Sequence, residues 1–151
     1  MELSSPEMKT VVDAIGLLRD DQAAGRARLL ELWDEACAEA ARVRMCAIAH
    51  FLADTEPDTA GELEWDLRAL EAATGSRETG DHQPLSPDLT GMLASLQGSV
   101  ANGYRAQGDL ERARLHLGFA LARQDALADD DYGRMVRGGL RRLQSVLGLP
   151  A

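Results

Sequence analysis

Nearly every segment of this chain spaces its apolar side chains as an α-helix does, and no segment alternates like a β-strand. Apolar residues recur at intervals of three and four from Met8 to Leu147. A strand would show apolar and polar residues in alternation over about four or more positions, with enrichment in β-branched residues. The pattern therefore predicts an all-α fold of about seven helices, in a single domain that spans residues 1–151.

Capping and breaking residues predict where the first helices begin and end. Ser5–Glu7 and Ser86–Asp88 each combine an N-cap, a proline for the first helical position and an acid in the first turn. Gly25 is expected to separate the first helix from the second. A turn is expected near Cys37–Ala41, although the alanines and glutamates there would equally suit one continuous helix over residues 26–54.

Similar signals predict the later boundaries. Thr59 and Glu62 have the spacing of a capping box, and Gly108-Asp109 supplies a helix stop followed by a cap. Asp129–Asp131 places carboxylates where the N-terminus of a helix is electropositive. Residues 75–85 are polar, rich in helix-breaking residues and without period, and they predict a mobile surface loop.

Composition and charge exclude several classes of protein. A chain of 151 residues with 45% hydrophobic residues can bury a core without disulfides or metal. No apolar run approaches the ~20 residues of a membrane span, and the N-terminus does not resemble a signal peptide. A net charge of −9 argues against nucleic-acid binding. We expect a cytoplasmic protein, and the strong preference for arginine and alanine is typical of a GC-rich bacterium.

Cysteines and tryptophans are expected to be core residues. Cys37 and Cys46 are nine positions apart and show neither a redox pair nor zinc-site spacing, so two buried thiols in a reducing compartment are expected. A reactive thiol is the alternative. Trp33 and Trp65 each lie on an amphipathic face, where core packing competes with a role as an exposed anchor for a partner.

Glycine is common inside the predicted helices. Each interior glycine costs about 0.8–1 kcal/mol relative to alanine. Close approach between neighbouring helices would compensate for this cost. The positions concerned are Gly91, Gly98, Gly103, Gly118, Gly138 and Gly139.

Residues 94–127 carry an ordered set of aromatic, turn and small residues. Tyr104 is followed by the turn Gly108-Asp109 and then by the small Ala113, with Leu117 and Ala120 one and two turns later. This order resembles a tetratricopeptide repeat (TPR), a two-helix unit of about 34 residues. In that motif Tyr104 would fill the wedge toward the next hairpin, and Ala113 would lie where the two helices cross. The chain departs from the motif at Gln97, Ala101 and Asp125, where the repeat has tryptophan, glycine and proline.

A weaker second copy lies 52 residues earlier. Ile48, Ala49 and Leu52 align with Val100, Ala101 and Tyr104, while Gly61 and Trp65 align with Ala113 and Leu117. The resemblance implies a TPR-like right-handed stack of about three helical hairpins, closed by a capping helix over residues 132–147. The strings at 50–54 and 64–70 also resemble TPR-like proteins of actinobacteria, a likeness that implies no particular activity.

The same resemblance places candidate binding residues on a concave groove. His50 aligns with Asn102, and both positions face the groove in this family, as do Asp54 and Arg105. His50 and Asp54 are also i and i+4 on one helix face, so a hydrogen-bonded surface pair and a catalytic or metal-binding pair are the alternatives. The other residues implied to line the groove are Val43, Cys46 and Ala53 from the first copy and Ser95 and Gly98 from the second.

These expectations favour a binding protein over an enzyme. The sequence holds no phosphate-binding loop, nucleophile elbow or zinc-protease motif, and no metal or cofactor is expected. We expect a scaffold that binds a protein or peptide through His50, Asp54, Asn102 and Arg105. The alternatives are a self-associating homodimer and, after it, a small-ligand sensor. Four arginines of the last helix are expected to pair within the chain, with phosphate binding as the alternative: Arg134, Arg137, Arg141 and Arg142.

Overall fold

A computed structural model describes residues 5–77 and 83–150 of the chain. These residues form seven α-helices and two short 3₁₀ segments, Pro87–Met92 and Gln124–Ala126, and they contain no strand. The prediction of an all-α fold with about seven helices is confirmed. The helices are α1 (Pro6–Asp20), α2 (Gln22–Ala38), α3 (Arg42–Ala53), α4 (Thr59–Thr74), α5 (Leu93–Ala106), α6 (Leu110–Ala122) and α7 (Asp131–Leu147).

Consecutive helices pack as hairpins that lie side by side. Helices α1 and α2, α3 and α4, and α5 and α6 form three pairs, and the second helix of each pair also contacts the helix that follows it. The first helices of neighbouring pairs meet as well, at α1–α3, and α7 meets α5 in the same way. One buried cluster spans α1 to α5 and a second spans α5 to α7, with Tyr104 packed against both.

Several predicted helix boundaries are confirmed. Ser5 accepts a hydrogen bond from the backbone N–H of Met8 and precedes a proline at the first helical position. The polypeptide turns between α2 and α3 through Ala40, whose φ is +51°, so residues 26–54 form two helices. Gly108, with φ of +81°, ends the turn after α5, and the Asp109 side chain caps α6.

Two other boundary predictions are wrong. Gly25 lies inside α2, because the first two helices separate at Asp21, whose carboxylate accepts from the N–H of Ala24. A Cβ at Gly25 would lie 2.8 Å from the backbone nitrogen of Leu18, so this glycine marks a close crossing of α1 and α2.

At α4, Asp58 provides the cap that was assigned to Thr59. The Asp58 carboxylate accepts from the N–H of Gly61 at 2.7 Å. This is the capping bond to the first turn that the Thr59 hydroxyl was predicted to make. Of the predicted loop at 75–85, residues 78–82 lie outside the described residues. Before them, Arg77 binds the carboxylates of Glu64 and Glu71.

The two tryptophans meet at the interface of the first two hairpins. Their rings lie edge to face, with centroids 5.3 Å apart, and Trp65 Nε1 donates to Glu56 Oε1 at 2.9 Å. Trp65 is buried and Trp33 half-buried, which confirms packing in the core. Cys46 is buried as expected, but Cys37 is exposed. The buried face of α2 ends at Ala36, and the next residue points about 100° further round the helix.

Close approach explains two of the helix glycines. A Cβ at Gly103 would lie 2.7 Å from Leu63 Cδ1 on α4, and a Cβ at Gly98 would lie 2.9 Å from Leu140 Cδ2 on α7. At Gly91 and Gly118 a Cβ would meet nothing within 4 Å, so the prediction is wrong for these positions. At Gly138 and Gly139 a Cβ would meet only arginine side chains, at ordinary contact distances.

We predict opposite effects for two alanine substitutions. Gly103→Ala should lower the free energy of unfolding by about 1–2 kcal/mol, because the new methyl overpacks against the body of Leu63 and outweighs the gain in helix propensity. Gly118→Ala should raise it by up to about 1 kcal/mol, because the site is open and only propensity changes. Urea denaturation followed by circular dichroism measures both. Equal stabilisation by the two substitutions would contradict the packing of α4 on α5.

Candidate functional site

A groove of about 500 Å³ lies between α5 and α7. One wall is the face of α5 that carries the predicted site residues Asn102 and Arg105. The opposite wall is a face of α7 that the sequence interpretation treated only as part of a cap. The lining residues are Ser95, Gly98, Ser99, Asn102, Arg105, Met135, Val136, Gly139, Leu140, Arg142, Leu143 and Val146.

Small residues create the groove beside one tight contact. Leu140 packs onto Gly98, where the missing Cβ lets α7 approach α5. Next to this contact, Ser95 and Ser99 on α5 face Gly139 on α7, and these short side chains do not bridge the two helices. The result is a channel with α5 on one side and α7 on the other.

Two guanidinium groups face the groove without an ionic partner among the described residues. Arg105 Nε donates to Asn102 Oδ1 at 3.0 Å, which orients the guanidinium and leaves its terminal nitrogens available. The Arg142 guanidinium lies beside Gly138 and Gly139, with nitrogens 3.6 and 3.8 Å from where their Cβ atoms would be. Neither arginine forms an ion pair with a described residue, and the described lining contains no carboxylate.

The expected pairing of the α7 arginines holds only near its N-terminus. Arg134 pairs with Asp129 and Asp131, while Arg137 donates to backbone carbonyls that precede the helix, including that of Leu127. Arg142 lies about two turns beyond Arg134, out of reach of those acids. The prediction that Arg141 and Arg142 pair within the chain therefore finds no support among the described residues.

The α7 wall exposes large apolar side chains. Met135 is 63% exposed and Val146 is 66% exposed, although both belong to a helix whose adjacent face is buried. Large exposed apolar side chains beside polar groups are typical of a surface that binds another molecule. Apolar periodicity alone could not find this feature, because it does not show which part of a wide apolar stripe meets the core.

His50 and Asp54 do not line this groove. They lie at the C-terminal end of α3, where Asp54 is exposed and His50 is half-buried with its ring edge to face against Phe51. Burial lowers the pKa of His50, and the Asp54 carboxylate partly opposes this shift. His50 Nδ1 is buried without a hydrogen-bond partner among the described residues, so the alternative of a hydrogen-bonded His50–Asp54 pair finds no support there.

The implied lining residues of the first copy are core residues instead. Val43, Cys46 and Ala53 are all buried in the first cluster. Helix α1 packs onto α3 and brings Met8 and Val11 into the same cluster. Burial raises the pKa of the Cys46 thiol to about 12, which leaves it protonated and unreactive.

Asp66 is a buried acid, although its place among the acids of residues 54–66 predicts a solvated side chain. Its side chain on α4 is only 4% exposed and has no hydrogen bond or ion pair among the described residues. Burial, with smaller contributions from Glu62 and Asp54, raises the pKa of Asp66 to about 8. The sequence does contain a signal for this burial. Asp66 lies three residues after Leu63 and four before Leu70, which places it on the apolar face of the helix.

We predict that Asp66 makes stability fall as pH rises. A folded-state pKa near 8, above the ordinary 3.8, means that the folded chain holds a proton that the unfolded chain releases between these values. As pH rises from 5 to 8, the free energy of unfolding of Asp66→Asn should increase relative to that of wild type by up to about 4 kcal/mol. Urea denaturation across this range measures the difference. Asp34→Asn, at an exposed site on α2, is the control, and parallel pH profiles for wild type and Asp66→Asn would refute the assignment.

Comparison with known proteins identifies no relative. No family model, no curated protein and no solved structure matches this chain. Within residues 5–77 and 83–150, no helix is long and apolar enough to cross a membrane. In the same ranges, no three or more histidine, cysteine or acidic side chains are grouped so that they could hold a metal ion.

Proposed function

We propose that this chain is a non-enzymatic helical-repeat module that binds a protein or peptide segment in the groove between α5 and α7. One observation carries the proposal. The groove combines an exposed apolar wall, at Met135 and Val146, with two guanidinium groups that have no ionic partner among the described residues. Surfaces of this kind bind segments that present an apolar side chain beside an acceptor group.

Helix positions support the repeat part of the proposal. Moving α3 forward by 52 residues brings its start, Arg42, to position 94, beside Leu93 at the start of α5. The same shift brings the start of α4, Thr59, to 111, beside Leu110 at the start of α6. A TPR-like right-handed stack of three hairpins with α7 as its cap is the arrangement we propose for these repeats.

Buried residues follow the same offset. Ile48 and Ala49 on α3 are fully buried, as are Val100 and Ala101 at the equivalent positions of α5. The half-buried Tyr104 stacks on His116 with ring centroids 5.4 Å apart, and Ala113 is fully buried. These environments agree with the wedge and crossing roles that the TPR resemblance implies.

The polar part of the groove favours a ligand that carries carboxylates. A guanidinium group binds a carboxylate through two parallel N–H donors, and Asn102 pre-orients Arg105 for such contact. Of the four residues predicted from the sequence, Asn102 and Arg105 belong to the proposed site and Arg142 is added to it. His50 and Asp54 are left out because they line no part of this groove.

Self-association is the second candidate function. Exposed apolar side chains on α7, Met135 and Val146, could be covered by another copy of the chain, and C2 dimers are the commonest soluble oligomers. Sedimentation velocity on the wild-type chain at micromolar concentration tests this candidate. A strict monomer would exclude it.

We predict that Gly139→Trp weakens binding without disturbing the fold. A Cβ at Gly139 meets only the end of Arg142, so the indole would occupy the groove, and a non-glycine residue raises helix propensity. The measurement is affinity selection from a library of random linear peptides with free carboxyl termini. Wild type should enrich a set of peptides. Their affinity for Gly139→Trp should be at least about tenfold lower than for wild type, a loss of about 1.4 kcal/mol or more of binding free energy.

Gly118→Trp is the matched control for this experiment. It introduces the same side chain at an open helical glycine on α6, outside the groove. It should bind the selected peptides as wild type does. Peptides that bind both tryptophan variants equally, or a selection that enriches nothing, would remove the groove as the binding site.

A further inference from the structure

We infer that the segment bound in this groove is an amphipathic α-helix of a partner protein, with acidic residues flanking its apolar face. This inference rests on the proposed function, and it specifies the conformation and side-chain pattern of the partner. It follows from the length of the apolar wall, from the small number of hydrogen-bond acceptors in the groove and from the positions of the two arginines.

The apolar wall has the length and spacing of a helix–helix contact. Met135, Gly139 and Val146 follow one another along one face of α7 at intervals of four and seven residues, over about 16 Å. Three turns of a partner helix cover the same distance and present anchors at i, i+3 or i+4, i+7 and i+11. An extended peptide would cross this length with only about five residues, every second one facing the groove.

The groove offers too few hydrogen-bond acceptors to satisfy the N–H groups of a bound extended segment. Each residue of an extended segment brings one N–H and one C=O that need partners when they are buried. The guanidinium groups of Arg105 and Arg142 only donate, so the acceptors that the lining offers to backbone N–H groups are the hydroxyls of Ser95 and Ser99 and the oxygen of Asn102, which already accepts from Arg105. A helix satisfies its backbone internally, so a groove with few acceptors and small side chains suits it better.

Charge specifies the pattern of the partner helix. Arg105 projects from the α5 wall and Arg142 from the α7 wall, so one cation lies on each side of the groove. The described lining contains no acid, although the chain as a whole carries a net charge of −9. A helix with an apolar row and a glutamate or aspartate on each side of it complements both the walls and the cations.

The test uses peptides selected by wild type and rejected by Gly139→Trp. We expect their sequences to show apolar residues at helical spacing with flanking acids, and circular dichroism to show helix formation on binding. Proline at a central, non-anchor position should weaken binding about a hundredfold, whereas alanine at the same position should leave it nearly unchanged. Replacing a flanking glutamate by glutamine should cost about two- to fivefold.

The charge contacts have their own controls. Arg105→Gln and Arg142→Gln should each remove the effect of one flanking glutamate, while Arg141→Gln, at an exposed site of α7 outside the groove, should remove neither. Thermal unfolding of the three variants checks that each remains folded. If glutamine replaces the flanking acids without loss of affinity, the charge pattern is wrong.

Other results separate this inference from the proposed function. Selected peptides that tolerate proline and gain no helix would overturn the inference, while the groove would remain the binding site. A wild-type dimer that Gly139→Trp converts to monomer would show that a second copy, not a separate partner, fills the groove. A selection that enriches nothing relative to Gly139→Trp would remove both proposals.

Discussion

Helix α5 approaches its neighbours at two glycines, and the rest of the structure depends on these contacts. Gly103 receives Leu63 from α4, and Gly98 receives Leu140 from α7. These close approaches let one helix join the buried cluster of α1–α5 to that of α5–α7. The contact of Leu140 with Gly98 also brings α7 close to α5 beside the groove.

Local signals predicted most of the helix boundaries. Ser5 caps α1 and Asp109 caps α6, because a capping side chain bonds to the backbone only two or three residues away. The prediction that Gly25 separates α1 from α2 is wrong. The role of this glycine depends on the backbone of α1, which packs against it only in the folded chain. For the same reason sequence could not distinguish Gly103, which is closely packed, from Gly118, which faces open space.

Two of the four predicted site residues, Asn102 and Arg105, line the groove. A comparison of α3 with α5, 52 residues later, explains why the other prediction failed. Positions 43 and 46 of α3 correspond to positions 95 and 98 of α5, and the TPR resemblance assigned all four to the groove. In the structure Val43 and Cys46 are buried beneath α1, whereas Ser95 and Gly98 line the channel beneath α7. Side-chain volume accounts for the difference, since valine and cysteine fill a space that serine and glycine leave open.

The width of the apolar surface on α7 argues that this helix has more than one packing partner. Val136, Leu140 and Leu147 form a buried stripe that docks α7 onto α5 and α6. About 100° away, Met135 and Val146 form a second stripe that faces the groove. A helix that only capped the stack would need the first stripe and would carry polar residues beside it. The second stripe therefore departs from what folding requires, and such departures are concentrated at sites of function.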